Sequence, residues 1–411
     1  MRNPTKTAVA TVAALLVPLT TGLAAIAYAD APDGPSSSPS ATPSEASAEG
    51  FPLHIKGGGE YYITIVGQQT SGHYSYVKAD GSIVAVTQQP PEGMSFPMNQ
   101  VRNGNIPLPS HLEGARIFVS KKPMVMPAAA VGGQPSDTGY VQPDLNNPSD
   151  PNQGNIYDFF EYTFDRGRVA FGGDTTQVDG FSLPIAAELK QDSSGYDRKV
   201  GIAGRKAAAL IDQYRRQVAG TPFASLVNAD GTHITAPRSA STFQWGGAGS
   251  TYFYLAVKKA WEQWTGDGSF KLADGDSVYT GGTGGPGTPL KFKKEVNGQK
   301  VASGSVQMPS SSDVAACANT LATGSDTEKF IEAQLCAAFN RGVAQNQTDT
   351  WGDTSKYYQQ APFNNYAAFF HDVSYDRHAY GFAYDDVHDQ SSVMILPNSD
   401  TPTSLTLTIG T

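Results

Sequence analysis

Apolar and polar positions alternate with a period of two over several short stretches in the first half of the chain. Tyr61-Tyr62-Ile63-Thr64-Ile65-Val66, Tyr74-Ser75-Tyr76-Val77-Lys78 and Ala115-Arg116-Ile117-Phe118-Val119 are each rich in β-branched and aromatic residues. Such runs, bounded by turn residues, predict strands. Ala79-Asp80-Gly81 supplies the turn after the second run. The run Tyr157-Asp158-Phe159-Phe160-Glu161-Tyr162-Thr163-Phe164-Asp165 alternates clearly. Phe160, Tyr162 and Phe164 are expected to face a core. Glu161, Thr163 and Asp165 then line the opposite face, with Phe159 beside them. The Pro- and Asn-rich stretch 141–152 can continue neither sheet nor helix and reads as a long loop.

The period changes near residue 200. Ala203, Ala207, Leu210, Ile211, Tyr214 and Val218 share one helical face, which Gly220 and Pro222 terminate. Phe253, Val257, Ala260, Trp261 and Trp264 form a second apolar stripe, ended by Gly266. Ser325-Asp326-Thr327-Glu328 is a capping box that opens a third helix carrying Ile331, Leu335 and Ala338. Strand character is expected again from about 370 and is clear at Leu405-Thr406-Leu407-Thr408-Ile409. The order predicts a β-rich α+β protein. A β-domain of residues 51–195 and 370–411 would be interrupted by a mixed α/β domain of 196–369, with a ligand groove between them.

The first 29 residues read as a secretory signal. Arg2 and Lys6 precede a mostly apolar run, and Ala27-Tyr28-Ala29 forms an A-x-A cleavage site. Residues 30–50 are a Ser-, Pro- and Ala-rich linker. Export makes a disulfide between the two cysteines, Cys317 and Cys336, reasonable; two buried thiols are the alternative. Lys and Arg number 29 against 38 Asp and Glu, a net charge of −9, which argues against nucleic acid or an anionic membrane as partner.

Signatures of common chemistries are absent: there is no H-E-x-x-H, G-x-S-x-G, Walker or EF-hand sequence. Gly282-Thr283-Gly284-Gly285-Pro286-Gly287 matches a dinucleotide fingerprint by letters only and reads as a turn-rich loop. His371, His378 and His388 fall in one acidic region but read as ordinary loop histidines rather than metal ligands. No metal or cofactor is expected.

Carboxylates remain. Asp174-Thr175-Thr176-Gln177-Val178-Asp179 follows the Glu161 strand closely. Gly172-Gly173 suggests a turn or bulge before it, and the spacing suits Glu161 and Asp179 on neighbouring antiparallel strands. Paired carboxyls on one sheet face are what sugar hydrolysis needs, one to give a proton to the leaving oxygen and one to activate water. The bland reading is a solvated strand face.

Four stretches give the pair more weight. They are Val141-Gln142-Pro143-Asp144 leading through Asn147-Pro148-Ser149-Asp150-Pro151-Asn152 to Phe160-Glu161-Tyr162-Thr163, then Val178-Asp179-Gly180-Phe181-Ser182-Leu183-Pro184, then Gln334-Leu335-Cys336-Ala337-Ala338-Phe339-Asn340-Arg341-Gly342, and finally Asn365-Tyr366-Ala367 through His371 to Tyr380-Gly381-Phe382-Ala383-Tyr384-Asp385-Asp386-Val387. In these motifs, and in their order, residues 51–411 resemble glycoside hydrolase family 64, secreted bacterial β-1,3-glucanases. The resemblance implies a thaumatin-like barrel beside a mixed α/β domain, with a wide groove. It implies Glu161 as general acid and Asp179 as general base of an inverting reaction on laminarin-type β-1,3-glucan that releases short oligosaccharides, notably the pentamer. It implies substrate contacts at Thr163 and Thr176. Asp165 stands where the family has Asn, and Asp174 lies in a connection slightly longer than the family's; both are taken as further substrate contacts. Tyr384-Asp385-Asp386 either faces the groove or holds a turn, and Trp245 or Trp351 can stack on a sugar if exposed. Trp261 and Trp264 are assigned to the core by their helical spacing. The expected protein is a secreted, monomeric enzyme; a non-catalytic glucan-binding protein with the same groove is the rival reading.

Overall fold

The computed structural model describes residues 50–410, apart from 71, 88–92, 102–103, 132–133 and 146. The signal segment and nearly all of the linker lie outside the described residues. In chain order the first strands are β1 (Phe51–Lys56), β2 (Tyr62–Gln68), β3 (Tyr74–Val77), β4 (Ile83–Ala85), β5 (Ser95–Pro97), β6 (Asn105–Leu108), β7 (His111–Ser120), β8 (Ala128–Val131), β9 (Gln134–Tyr140), β10 (Tyr157–Asp165), β11 (Val169–Thr175), β12 (Gly180–Phe181), β13 (Ile185–Gln191) and β14 (Tyr196–Gly201). Helix α1 (Ala207–Gln217), β15 (Ile234–Thr235) and α2 (Tyr254–Gln263) follow, then a meander of β16 (Phe270–Asp274), β17 (Ser277–Gly282), β18 (Leu290–Val296) and β19 (Gln299–Val306). The chain continues through α3 (Ser311–Ala316), α4 (Asp326–Asn340), α5 (Asn365–Val373), β20 (Met394–Ile395) and β21 (Ser404–Ile409).

Two sheets enclose one apolar core. One runs β14-β13-β21-β1-β6; the other runs β20-β11-β10-β7-β2-β3-β4, with β5 also on β2. Their shared core takes Leu53, Leu189 and Leu407 from the first sheet and Ile65, Ile117, Phe160 and Phe171 from the second. The period-two pattern of β10 dictates this placement: Phe160, Tyr162 and Phe164 are fully buried, and Tyr162 stacks on Phe171 of β11 at 5.2 Å. On β7 a register shift opposite Tyr162 and Phe164 adds one residue at Glu113–Gly114. The bulge keeps Leu112 and Ala115 in the core and leaves Glu113 and Arg116 on the outer face. Of the turn or bulge expected at Gly172 and Gly173, it is the bulge that is found: the two lie within β11 opposite Thr163 and Tyr162, and the register shifts between Gly172 and Val169. A Cβ on Gly173 would come within 2.8 Å of Phe160 Cζ and of the Glu161 carbonyl, so glycine here permits close strand packing.

The helices and the β16–β19 meander surround a second core, which includes Leu210, Tyr214, Trp261, Trp264 and Leu335. Glu328 reaches back to the Ser325 backbone N–H at 2.9 Å, the capping box anticipated for α4. A disulfide joins Cys317, at the end of α3, to Cys336 of α4. Trp351 belongs to this core at 1% exposure, against Trp264 at 6.1 Å, so it is no sugar platform; Trp245 is 97% exposed. The expected return to strands at 370 starts later, at Met394, because α5 and a series of turns occupy 365–393. Tyr366, Phe369 and Phe370 of α5 pack into the helical core. No helix among the described residues is long and apolar enough to cross a membrane.

Candidate active site

The outer face of β10 carries Glu161 and Thr163. Glu161 is the register partner of Arg116 on β7 and of Asp174 on β11. Arg116 Nε donates to Glu161 Oε2 at 3.0 Å, and Nη2 of the same guanidinium lies 3.0 Å from that oxygen as an ion pair. The guanidinium also lies 4.5 Å over the Phe159 ring, which fixes its plane. Burial works against the Arg116 charge, but Glu161, then Tyr140 and Asp179, outweigh it and hold the pKa above its ordinary value. Two carboxylates thus act on one cation. The Glu161 side chain is 38% exposed while that of Arg116 is 12% exposed, so the acid stays accessible and its anchor does not.

Asp174 sits on the other side of Glu161. Cross-strand partners present their side chains on the same face, with Cβ atoms about 4.5–5.5 Å apart. Asp174 Oδ1 is enclosed without a hydrogen-bond partner. Burial raises the Asp174 pKa well above the ordinary carboxylate value, Glu161 and Asp386 add to the rise, and Arg116 opposes it. Asp386 is itself raised, chiefly by burial.

Asp179 does not lie on a strand adjoining Glu161, the arrangement suggested by spacing. It occupies a bend between β11 and β12, and the residue across from Glu161 is Asp174. The two-residue pairing of β12 with β15 anchors the bend. Ala236 N donates to the Asp179 carbonyl at 3.5 Å, and Arg238 reaches Asp179 Oδ1 at 3.8 Å. The Asp179 side chain is 45% exposed. Gly180 lets the His233 ring lie against the backbone, since a Cβ there would stand 2.6 Å from His233 Cε1. His233 hydrogen-bonds Ser182 Oγ at 2.8 Å, and burial lowers its pKa to about 4, so this ring is neutral near pH 7.

A second layer fixes the bend. Asp158, on the inward-facing side of β10, accepts from Ser182 N at 2.7 Å and Leu183 N at 2.5 Å. Burial pushes its pKa up to about 7 against those hydrogen bonds, with Asp179 adding to the rise. Gln177 N donates to the Tyr380 carbonyl at 2.9 Å, and the Tyr366 hydroxyl donates to the Gln177 carbonyl at 2.6 Å. Asp385 closes the Tyr380 turn. It is fully buried, accepts from Gly381 N and Arg341 Nη2 at 3.0 Å, and lies 3.0 Å from His371 Nε2. Asp385 therefore holds a turn rather than facing a groove, and His371 is committed to Asp385 and the Arg377 carbonyl.

The expected substrate contacts have distinct surroundings. Thr163 Oγ1 accepts from Gly114 N at 2.9 Å, satisfying the β7 bulge. Thr176 Oγ1 accepts from Val178 N at 3.2 Å, shaping the bend before Asp179. Asp165 is buried between His111, 3.1 Å from its Oδ1, and Arg168, 3.0 Å from its Oδ2. His111, Glu113 and Asp165 place three potential metal-ligand atoms within 4.8 Å of one another. The Arg168 cation already balances Asp165 in that group.

Sequence reasoning missed Arg116, Arg238 and Asp158. Arg116 had a signal, a single charge within the apolar run Ala115–Val119. Asp158 had one too, a carboxylate on the core-facing parity of β10. Arg238 had none, because only the β12–β15 pairing brings it to Asp179.

Residues 54–409 match the family model of glycoside hydrolase family 64, described as beta-1,3-glucanase. A glucan endo-1,3-beta-glucosidase of Cellulosimicrobium cellulans is 27% identical over 270 residues, covering 63% of this chain and 46% of the relative. The chain thus spans about half the length of that curated relative. The fold is similar to a crystal structure of a beta-1,3-glucanase domain from Clostridium beijerinckii, with a TM-score of 0.75 and 27% identity over 90% of this chain and all of the other. It is also similar to a laminaripentaose-producing beta-1,3-glucanase from Paenibacillus barengoltzii complexed with laminarihexaose, with a TM-score of 0.64 and 26% identity over 89% of this chain and 76% of the other. The match across nearly all of the described residues, on a β-rich fold with few helices, shows that the chain belongs to glycoside hydrolase family 64, the β-1,3-glucanases.

Proposed function

We propose that the protein is a secreted, monomeric endo-β-1,3-glucanase that cleaves laminarin-type chains with inversion and releases short oligosaccharides. Glu161 is the general acid and Asp179 the general base. The two-sheet sandwich is the thaumatin-like barrel of this reading, and its substrate groove runs over the outer face of β10. The observation that carries the reading is an accessible carboxylate held by a largely buried guanidinium, with a second accessible carboxylate close by: Arg116 Nε donates to Glu161 Oε2, and Asp179 stands on the bend that follows the neighbouring strand β11.

Glu161 gives its proton to the glycosidic oxygen as the C–O bond breaks. Asp179 takes a proton from the water that attacks the opposite face of the sugar ring. Room for that water requires carboxyls about 6.5–9.5 Å apart. Asp179 stands on a bend rather than on the strand beside Glu161, which favours the wider spacing over the roughly 5 Å of a retaining pair. Thr163 and Thr176 flank the acid and the base as substrate contacts. The solved relative complexed with laminarihexaose supports a β-1,3-linked substrate.

The test is incubation with laminarin, sizing of the products and observation of the first-formed anomer. The α-anomer and short oligomers are expected. Glu161→Gln should lower hydrolysis by about 10²-fold or more while glucan binding persists. Normal cleavage by that variant would place the acid elsewhere. Binding without cleavage by the unmodified protein would favour the glucan-binding reading.

A further inference from the structure

Arg116 poses a chemical problem. A general acid must carry a proton, yet Glu161 Oε2 accepts a hydrogen bond from Arg116 Nε and lies 3.0 Å from Nη2, an ion pair that suits a carboxylate. A proton held close by resolves this. Asp174 is the cross-strand partner of Glu161, on the same sheet face and more enclosed, with one oxygen lacking any hydrogen-bond partner. We infer that Asp174 is the proton-holding partner of Glu161: the two carboxyls share one proton, which rests on Asp174 and moves to Glu161 for each cleavage. This rests on Glu161 being the acid, and it gives Asp174 a positioning and supply role rather than a substrate contact.

The surrounding charges agree. Like carboxyls side by side do not both ionise readily, so the pair keeps one proton to higher pH than either acid alone. Asp386, from the loop after α5, adds negative potential at Asp174, and Arg116 is the cation that opposes it. Tyr380 from the same loop interacts with both acids and Tyr140 of β9 with Glu161; burial raises both phenols, so they are neutral at working pH. Asp179 also acts on Arg116. Arg116 holds Glu161 in place, and the enclosed Asp174 carboxyl is the site where burial favours the neutral form.

The proton balance closes. Asp174 transfers its proton to Glu161, and Glu161 transfers it to the glycosidic oxygen, which takes the electron pair of the breaking bond. Water adds to the anomeric carbon and loses a proton to Asp179. That proton leaves through solvent, and solvent returns one to Asp174.

The decisive experiment compares pH–rate profiles of Asp174→Asn and the unmodified protein on laminarin. Asn keeps the shape but cannot hold the proton. Its kcat is expected to fall about tenfold or more at neutral pH, with KM within about twofold. The alkaline limb should move down by about one pH unit or more, because Glu161 then loses its like-charged partner and keeps Arg116. Asp174→Glu should restore part of both. Asp174→Ser, smaller and equally unable to hold a proton, gives the same reading if the Asn variant does not fold. An unmoved limb with unchanged kcat, or a change in KM alone, overturns the inference while leaving Glu161 as the acid. Full activity of Glu161→Gln would instead overturn the reading on which it rests.

Discussion

Replacing Asp385 by Asn tests whether one buried ion cluster supports both the fold and the site. Arg341 is 1% exposed and Asp385 is fully buried, and the carboxylate serves Arg341, His371 and Gly381 together. Asn preserves volume but leaves the Arg341 guanidinium without a counter-charge. It also turns an NH2 toward groups that donate. Removing one partner of a buried pair costs about 3–5 kcal/mol, mostly the penalty of the charge left behind. For a folded chain of roughly 360 residues, an unfolding entropy near 2.1 cal/mol/K per residue converts this to a Tm lower by about 4–7 °C. Thermal and urea unfolding followed by circular dichroism measure it. The cluster also holds the turn whose Tyr380 carbonyl receives Gln177 N, two residues before Asp179. Laminarin hydrolysis should therefore drop further than the folded fraction does, with the pH profile unmoved. A double variant, Arg341→Met with Asp385→Leu, should lose less than the sum of the single changes. A loss below about 1 kcal/mol for Asp385→Asn would refute the reasoning, for it would mean that solvent or another anion already serves Arg341.

Two other predictions concern stability alone. Changing both Cys317 and Cys336 to Ser opens a loop with a sequence separation of 19 and should cost about 3 kcal/mol in a urea titration under oxidising conditions. Burial raises Asp158 from 3.8 to about 7 and Glu332 from 4.5 to about 7. An acid raised by folding contributes stability that is full below its unfolded pKa and lost as pH rises through its folded one. Stability should therefore decline between about pH 4 and pH 7, and Asp158→Asn, whose amide oxygen can still accept from Ser182 N and Leu183 N, should flatten that decline.

Local pattern carried much of the fold. The alternation of β10 put Phe160, Tyr162 and Phe164 inside and Glu161 outside, and one apolar stripe each for α1 and α2 was enough to find those helices. The capping box placed the start of α4 because its donors and acceptors lie within four residues. Legibility ended where placement depends on distant pairing. Gly172-Gly173 read as a turn or a bulge, and composition could not decide between them because it does not record that Phe160 and Tyr162 crowd the opposite strand. Trp351 looked available for sugar because nothing nearby in sequence announces Trp264 and Phe270 as its neighbours. At the site, the motifs singled out Glu161 and Asp179 but not the Arg116 that joins them electrostatically, since β7 and β10 meet only through the register of the sheet.

Among the described residues, the first and last strands lie side by side. β21 runs parallel to β1, with Leu53 against Leu405, and its other edge pairs with β13. It thus fills the centre of the five-stranded sheet. A ribosome-bound chain has almost the whole helical core available before this strand emerges, while the five-stranded sheet still lacks its middle. Assembly of the sandwich is therefore a late, all-or-none event governed by a very long-range contact, and slow folding should follow. If the chain is exported as an unfolded thread, that delay keeps it threadable. It also makes the segment around residue 405 a poor place for a fusion or a cut, although it lies far along the chain from the chemistry.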